Sequence, residues 1–471
     1  MIEQIDLETA AATEWDVVVA GSSFAAMFFI LGLPSDLSVL VVEKGAIFTW
    51  DQQVREGQRP REEIRIRNGS NQPKEFIAHT LFGGNSNCWW GQTPRFHPND
   101  FRLRSRYGVS EDWPLSYDEL VTFYDEVEQV MEIAGGGTGH ITPRSAPYPF
   151  PAHIPSRSDR VLLKNNPRQW VPVPTARANG GLRAQCCANG ICSHCPIEAK
   201  FTVMNSLERF ARPRLRLLAG AECRAVEVEA GRARSMIVRS GRTEKRLGGS
   251  AIALATNGIF NPAILMRSGL GSDATGRYLH EQVSVMMTLD INSPNWFGGS
   301  SITLHGYHAY DGAHRKTDAA VLFENYNAPN SLRHERGRWT ERMLLKLIAE
   351  DLPQSENRVR LDKTDEPVIE WVGHSDYAER GLDRARTMLP DLLPFTVERV
   401  ARTFRPATEA HIMGTHRMGR DPTNSVTDPD MKLHGTENLL VLGSGAFPSC
   451  SPANPTLTLS ALSLRAGRRL V

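Results

Sequence analysis

Three groups of residues have the types and spacings that chemistry needs. The turn Gly21-Ser22-Ser23-Phe24-Ala25-Ala26 follows an apolar run, and Glu43 stands 22 residues after Gly21. A G-x-G-x-x-G turn lets backbone approach a pyrophosphate at a helix N-terminus, and a carboxylate about 20 residues on accepts ribose hydroxyls. Only the first glycine of that pattern is kept; Ser23 and Ala26 replace the second and third. Such a turn alone also occurs in α/β proteins that bind no nucleotide, so Glu43 decides. The pair selects an adenosine ribose with free hydroxyls, hence FAD or NAD rather than NADP. The second group is Cys186-Cys187-Ala188-Asn189-Gly190-Ile191-Cys192-Ser193-His194-Cys195-Pro196. Its thiolates suit zinc or an iron–sulfur cluster, and equally the cysteines can stand bare or form a disulfide. The third is His411 and His416 in a Gly-containing stretch near the C-terminus. A neutral imidazole accepts a proton at physiological pH, although a lone histidine in such a turn is more often structural.

The elements that must position these residues can be read in outline. Residues 15–20 form a β-branched run typical of a buried parallel strand, 24–33 an apolar helix, and 38–42 a second buried strand. Right-handed crossover makes the two strands parallel. Trp113-Pro114-Leu115-Ser116 before Tyr117-Asp118-Glu119 reads as a helix start with acidic residues in its first turn. Short alternating strands occupy 225–229 and 236–239, and an apolar strand occupies 250–255 before the turn Thr256-Asn257-Gly258. Alternating segments between 283 and 375 predict an antiparallel sheet outside the first domain. The C-terminal part returns to strand (439–442), glycine turn (Gly443-Ser444-Gly445) and a helix from about 455.

The chain has 471 residues, enough for two domains, and its 54 basic against 53 acidic side chains give a net charge of +1. That balance gives no electrostatic case for nucleic acid. No apolar stretch approaches the roughly 18 to 20 residues of a membrane span, and the acidic N-terminal stretch predicts no secretory signal. Seven cysteines, four of them within ten positions, predict a reducing, cytoplasmic setting.

Three further stretches carry a family resemblance. They are Gly83-Gly84-Asn85-Ser86-Asn87-Cys88-Trp89-Trp90-Gly91 with Thr93-Pro94-Arg95-Phe96, then Ala253-Leu254-Ala255-Thr256-Asn257-Gly258 through Ser268-Gly269-Leu270-Gly271. The third is His411-Ile412-Met413-Gly414-Thr415-His416-Arg417-Met418-Gly419, with Leu433-His434-Gly435, Gly443-Ser444-Gly445 and Asn454-Pro455-Thr456-Leu457-Thr458. Together they resemble the glucose–methanol–choline (GMC) flavin-dependent alcohol oxidoreductases, and in the C-terminal motifs the pyranose 2-oxidases.

The resemblance implies an α/β architecture. A Rossmann-like FAD-binding domain with a parallel sheet would be assembled from the discontinuous segments 1–100, 186–285 and 405–471. An α+β substrate domain with an antiparallel sheet would span 286–404, with 101–185 connecting the two. It implies FAD held by Gly21, Ser22, Ser23, Glu43, Lys44, Gly84, Ser86, Cys88, Gly443, Ser444, Pro455 and Thr456. It further implies oxidation of a CH–OH group by hydride transfer to flavin N5, with His411 as general base and Asn454 as its hydrogen-bonding partner. His416 is the rival base, and Asn454 the alternative cap of the helix that Pro455 begins. That helix start would aim its dipole at the flavin N1–C2=O edge, worth about 1 to 2 kcal/mol for the reduced, negative ring. Cys88 stands where pyranose 2-oxidases carry a flavin-linked histidine, so a cysteinyl flavin bond and an inert buried thiol are both open. The cysteine group resembles a three-iron cluster segment of some bacterial flavin glucose dehydrogenases, with one residue fewer in the last spacing.

The expected substrate is a small-molecule alcohol: a sugar, glycoside or amino sugar, or alternatively a fatty or aromatic alcohol. Trp296, Phe297 and Tyr307 are candidates to line either pocket. The expected electron acceptor is oxygen or a redox partner. A non-catalytic nucleotide-fold binding protein and an NAD-linked dehydrogenase are the alternatives from other classes.

Overall fold

The β-branched run forms the buried strand Trp15–Ala20, and the apolar run after the turn forms the helix Phe24–Gly32. Val39–Glu43 then returns parallel to the first strand, with Val17 opposite Val39. The computed structural model describes residues 2–296, 298–327 and 340–470. This β-α-β unit centres an eight-stranded sheet. Its parallel part takes Glu3–Gln4, Leu215–Ala219, Val39–Glu43, Trp15–Ala20, the last residues of Thr243–Leu254, and Leu439–Val441. The first half of Thr243–Leu254 leaves it to pair antiparallel with Arg232–Ser240, which pairs in turn with Glu222–Glu229. Strands covered on both faces bury every side chain, which is why they read as unbroken apolar runs rather than alternations.

One helix contact sets the position of the C-terminus. Every residue from Phe24 to Ile30 is buried, and this helix lies along Thr456–Arg468 at backbone contact distance. A Cβ on Gly467 would fall 2.2 Å from the Phe29 carbonyl oxygen, and one on Gly32 2.4 Å from that of Leu464. Only glycine permits this approach. The two C-terminal ends touch, so both N-terminal ends, at Ser23 and Pro455, open on one cavity.

The second sheet is antiparallel, in the order Val397–Phe404, Val283–Ile291, Arg342–Ala349, Val321–Tyr326, Ile302–Ala309, Trp170–Pro172. The helix Asp376–Leu392 covers it, burying Tyr377, Ala378, Leu382, Ala385 and Leu389 in a shared core. Each large apolar side chain so removed from water contributes about 1.5 to 3 kcal/mol. Trp170–Pro172 joins this sheet from within the stretch read as connecting. By contrast, the hairpin Arg358–Leu361 and Pro367–Trp371 pairs with Arg65–Asn68 in a separate three-stranded sheet. Among the described residues no helix is long and apolar enough to cross a membrane.

Candidate active site

The two sheets wall a cavity of about 620 Å³, and it is lined by His411, Asn454 and every residue expected from the sequence to hold FAD. At one end the Gly21 turn passes under the strand end at Ala255: Gly21 has φ +96°, and a Cβ there would lie 2.5 Å from the Ala255 carbonyl oxygen. Glu43 is buried at the end of its strand. It accepts from Ser22 Oγ at 2.5 Å and from the Gly45 N–H at 2.7 Å, and burial pushes its carboxyl up to about 7. Ser22 Oγ also accepts from the Gly83 N–H at 2.8 Å, which ties the turn to the Gly83-Gly84 loop. Lys44 sits at the rim, paired with Glu62 at 2.8 Å and Glu222 at 3.5 Å.

The loop carrying His411 is laddered onto the last glycine turn. Gly414 and His416 donate backbone N–H groups to Ser444 and Gly445 carbonyls, and Ser444 Oγ donates to the Ile412 carbonyl at 2.6 Å. His411 reaches the cavity partly buried, and its Nδ1 donates to Gln282 Oε1 at 2.8 Å. Burial pushes its pKa down to about 4, so the imidazole is neutral across the physiological range. The charged groups that act on it are Glu409, two residues before it in the same loop, and Lys346 and Glu324 from the paired strands Arg342–Ala349 and Val321–Tyr326.

Asn454 lines the same cavity, and its buried Oδ1 has no partner in the protein. The capping role is not taken. The helix starts at Thr456 with Pro455 in the capping position and no side-chain cap, one residue too late for the Asn454 carboxamide to serve its first turn. His416, the rival base, is fully buried outside the cavity lining, with its ring held against Gly445.

Other expectations meet different surroundings. The Cys88 thiol lines the cavity, its Sγ 3.5 Å from the Asn85 carbonyl, and burial raises its pKa, which leaves it a poor nucleophile. Cys186, Cys187, Cys192 and Cys195 are all free thiols. Among the described residues no group of three or more His, Cys, Asp or Glu is placed to hold a metal ion. Cys192 is instead buried against Ser301 Oγ at 3.1 Å. Trp296 and Tyr307 are not in the lining. Trp296 lies exposed over Arg157, and Tyr307 packs on Tyr310 in the core, their ring centroids 5.1 Å apart; Phe297 lies outside the described residues. The aromatic and charged lining that sequence reasoning missed is Trp90, Tyr326, Glu324, Lys346 and Glu409. Three of these come from strands of the antiparallel sheet, where alternation reveals two faces but not which of them meets the cavity.

The cavity suits a dinucleotide on its own terms. No side chain caps the helix Phe24–Gly32 or the helix Thr456–Arg468, so free N–H groups of both face it. Glu43 brings its carboxyl into the lining beside the Gly21 turn, bonded to Ser22 Oγ, and Asn454 Oδ1 still needs a donor.

Comparison with known proteins agrees. A family profile described as GMC oxidoreductase matches residues 353–463. The chain is 27% identical to the fructose dehydrogenase large subunit of Gluconobacter japonicus over 82% of this chain and 79% of that one. It is 28% identical to 6'''-hydroxyparomomycin C oxidase of Streptomyces lividus over 97% and 91%. Its fold matches that of an FAD-dependent oxidoreductase from Chaetomium thermophilum with a TM-score of 0.67 at 13% identity, covering 96% of this chain and 98% of that one. Profile, relatives, fold and cavity point the same way, to a likeness with the GMC oxidoreductases that the profile places at residues 353–463 and the relatives extend over most of the chain.

Proposed function

We propose that the protein oxidises a CH–OH group of a sugar, glycoside or amino sugar, with His411 taking the hydroxyl proton and Asn454 holding the same oxygen. Its likeness to the GMC oxidoreductases makes it an FAD-dependent enzyme acting on CH–OH donors. The observation that carries the assignment of roles is that His411 and Asn454 open on the cavity lined by Gly21, Glu43 and Gly443. Bound FAD supplies the two-electron acceptor for the hydride that leaves the substrate carbon. Glu43 and the two free helix ends would hold that cofactor, with Ser22, Gly84 and Gly443 lining its path.

His411 contributes a basic nitrogen that stays unprotonated because its surroundings penalise the charged ring. Asn454 contributes a carboxamide with an unsatisfied oxygen, suited to fixing a hydroxyl in one orientation. The polar residues Glu324, Tyr326, Lys346 and Glu409 at this end favour a polyhydroxylated substrate over a fatty one, which would call for an apolar wall. Relatives named for fructose and for an aminoglycoside support the same choice.

The test is anaerobic stopped-flow bleaching of the bound flavin by a panel of sugars, amino sugars, fatty and aromatic alcohols, with aerobic runs to separate oxygen from a redox protein as acceptor. His411→Ala should keep the flavin and slow its reduction by about 10²- to 10⁴-fold. Bleaching by the variant at the wild-type rate would overturn the assignment of His411. A panel in which only fatty or aromatic alcohols bleach would overturn the sugar reading.

A further inference from the structure

We propose that Gln282 is the positioning residue of this site: it holds His411 in the tautomer that leaves Nε2 basic, and it fastens the imidazole to the loop that carries Asn454. The inference rests on the role given to His411 above and adds how that role is enforced. Gln282 is buried and is not among the residues that line the cavity, so it acts only through its neighbours.

Register explains why it reaches His411. His280 and Met413 form an antiparallel bridge, exchanging N–H···O bonds of 3.0 and 3.1 Å. Two residues along each segment from that bridge, Gln282 falls opposite His411. Glu281, the residue between, secures the other side. Its carboxylate accepts from the Glu409 N–H at 3.2 Å, the His411 N–H at 3.4 Å and Thr408 Oγ1 at 2.9 Å, and pairs with Lys74. The main chain at 408–411 is thus held by Glu281, and the imidazole by Gln282.

The direction of the Gln282 amide follows from its partners. Its Nε2 donates to the Ser451 carbonyl at 2.8 Å and to the Ala453 carbonyl at 2.9 Å. Both partners can only accept, so the NH2 end is committed there. A flipped amide would set its oxygen against two carbonyl oxygens. Oε1 therefore faces His411 Nδ1 at 2.8 Å, and a carbonyl oxygen requires that Nδ1 carry the hydrogen. The lone pair is left on Nε2. Ala453 immediately precedes Asn454, so one buried amide is bonded both to the base and to the backbone beside its partner.

Two variants test this, with retained flavin colour and thermal melting as controls for folding. Gln282→Met removes every one of these bonds at similar volume, and should slow flavin reduction by about 10- to 100-fold while FAD stays bound, the scale seen when a group that orients a functional histidine is lost. Gln282→Glu keeps an acceptor for Nδ1, gives up the bonds to the Ser451 and Ala453 carbonyls, from which its second oxygen must turn away, and when ionised adds a negative charge beside a ring already faced by Glu409, Lys346 and Glu324, with Glu281 on the backbone behind it. It should move the acid limb of the reduction rate up by about one pH unit or more, a change that loosened packing would not produce. Wild-type reduction rates in Gln282→Met overturn the proposal, as does an unmoved limb in Gln282→Glu. If Gln282→Glu does not fold, the Gln282→Met rate decides. The His411→Ala control separates the two levels: if that variant also reduces normally, the assignment of the base has failed, whereas slow His411→Ala beside normal Gln282 variants sinks this inference alone.

Discussion

The ion pair beside His411 offers a quantitative check on the electrostatics of the site. Lys346 Nζ pairs with Glu409, whose other oxygen accepts from Ser284 Oγ, and both side chains are nearly buried. His411 is pushed from 6.5 to about 4, chiefly by burial, with Glu409 and Glu324 raising it and Lys346 lowering it. That displacement amounts to about 3 kcal/mol favouring the neutral ring, so there is room for the charges to move it. Lys346→Met leaves Glu409 uncompensated, and a like-distance carboxylate favours the imidazolium by about 1 to 2 pH units. Glu409→Gln leaves the ammonium instead and should push the titration lower. The double variant should fall within about half a unit of wild type, because both opposing charges are gone. Anaerobic flavin reduction measured across the acid range reads the limb directly. Each single variant strands a buried charge, costing about 3 to 5 kcal/mol of stability that the double variant should largely recover, so melting curves report the same cycle. Identical acid limbs in all four proteins would refute the reasoning: either His411 is not the titrating group, or the pair does not face it.

Glu43→Ala should weaken FAD retention by about 10-fold or more, since it removes the proposed ribose acceptor and strands the Ser22 hydroxyl and the Gly45 N–H. Released flavin after desalting measures this, and a variant that holds FAD like wild type contradicts the ribose role. Acidification should also destabilise the fold in a defined window. Fully buried His280 and His416 have pKa values pushed down to about 4 and about 3. The unfolded chain therefore binds their protons below about 6.5 while the native state does not, and stability falls with pH by about 1.4 kcal/mol per unit for each. Glu43, raised to about 7, works in the opposite sense between its unfolded value and 7, but it is outnumbered, since burial also pushes His79, His153, His308 and His411 down to about 4. Urea midpoints that do not change from neutral pH to about pH 5 would show that these imidazoles are not held neutral.

Chemistry that depends on residues close together in the chain is legible in the sequence itself. The strand, glycine turn and helix at 15–32 and the carboxylate at Glu43 are set by local conformation and by a spacing within one β-α-β unit, and they form as read. The family motifs likewise point to His411, Asn454 and the Gly443 turn, which share one cavity. What the chain does not disclose is every arrangement that depends on which distant backbone lies alongside. Glu324, Tyr326 and Lys346 belong to alternating strands whose two faces look alike in sequence, and only sheet register turns one face to the cavity. Gln282 meets His411 because His280 bridges Met413 across more than a hundred residues of chain. Asn454 reads equally well as a helix cap, and a helix beginning one residue later leaves its oxygen free for the cavity. Local sequence dictates conformation over a few residues. Register, close glycine contact between helices and burial arise only when those pieces pack, and they decide which side chains share a site and which proton each one carries.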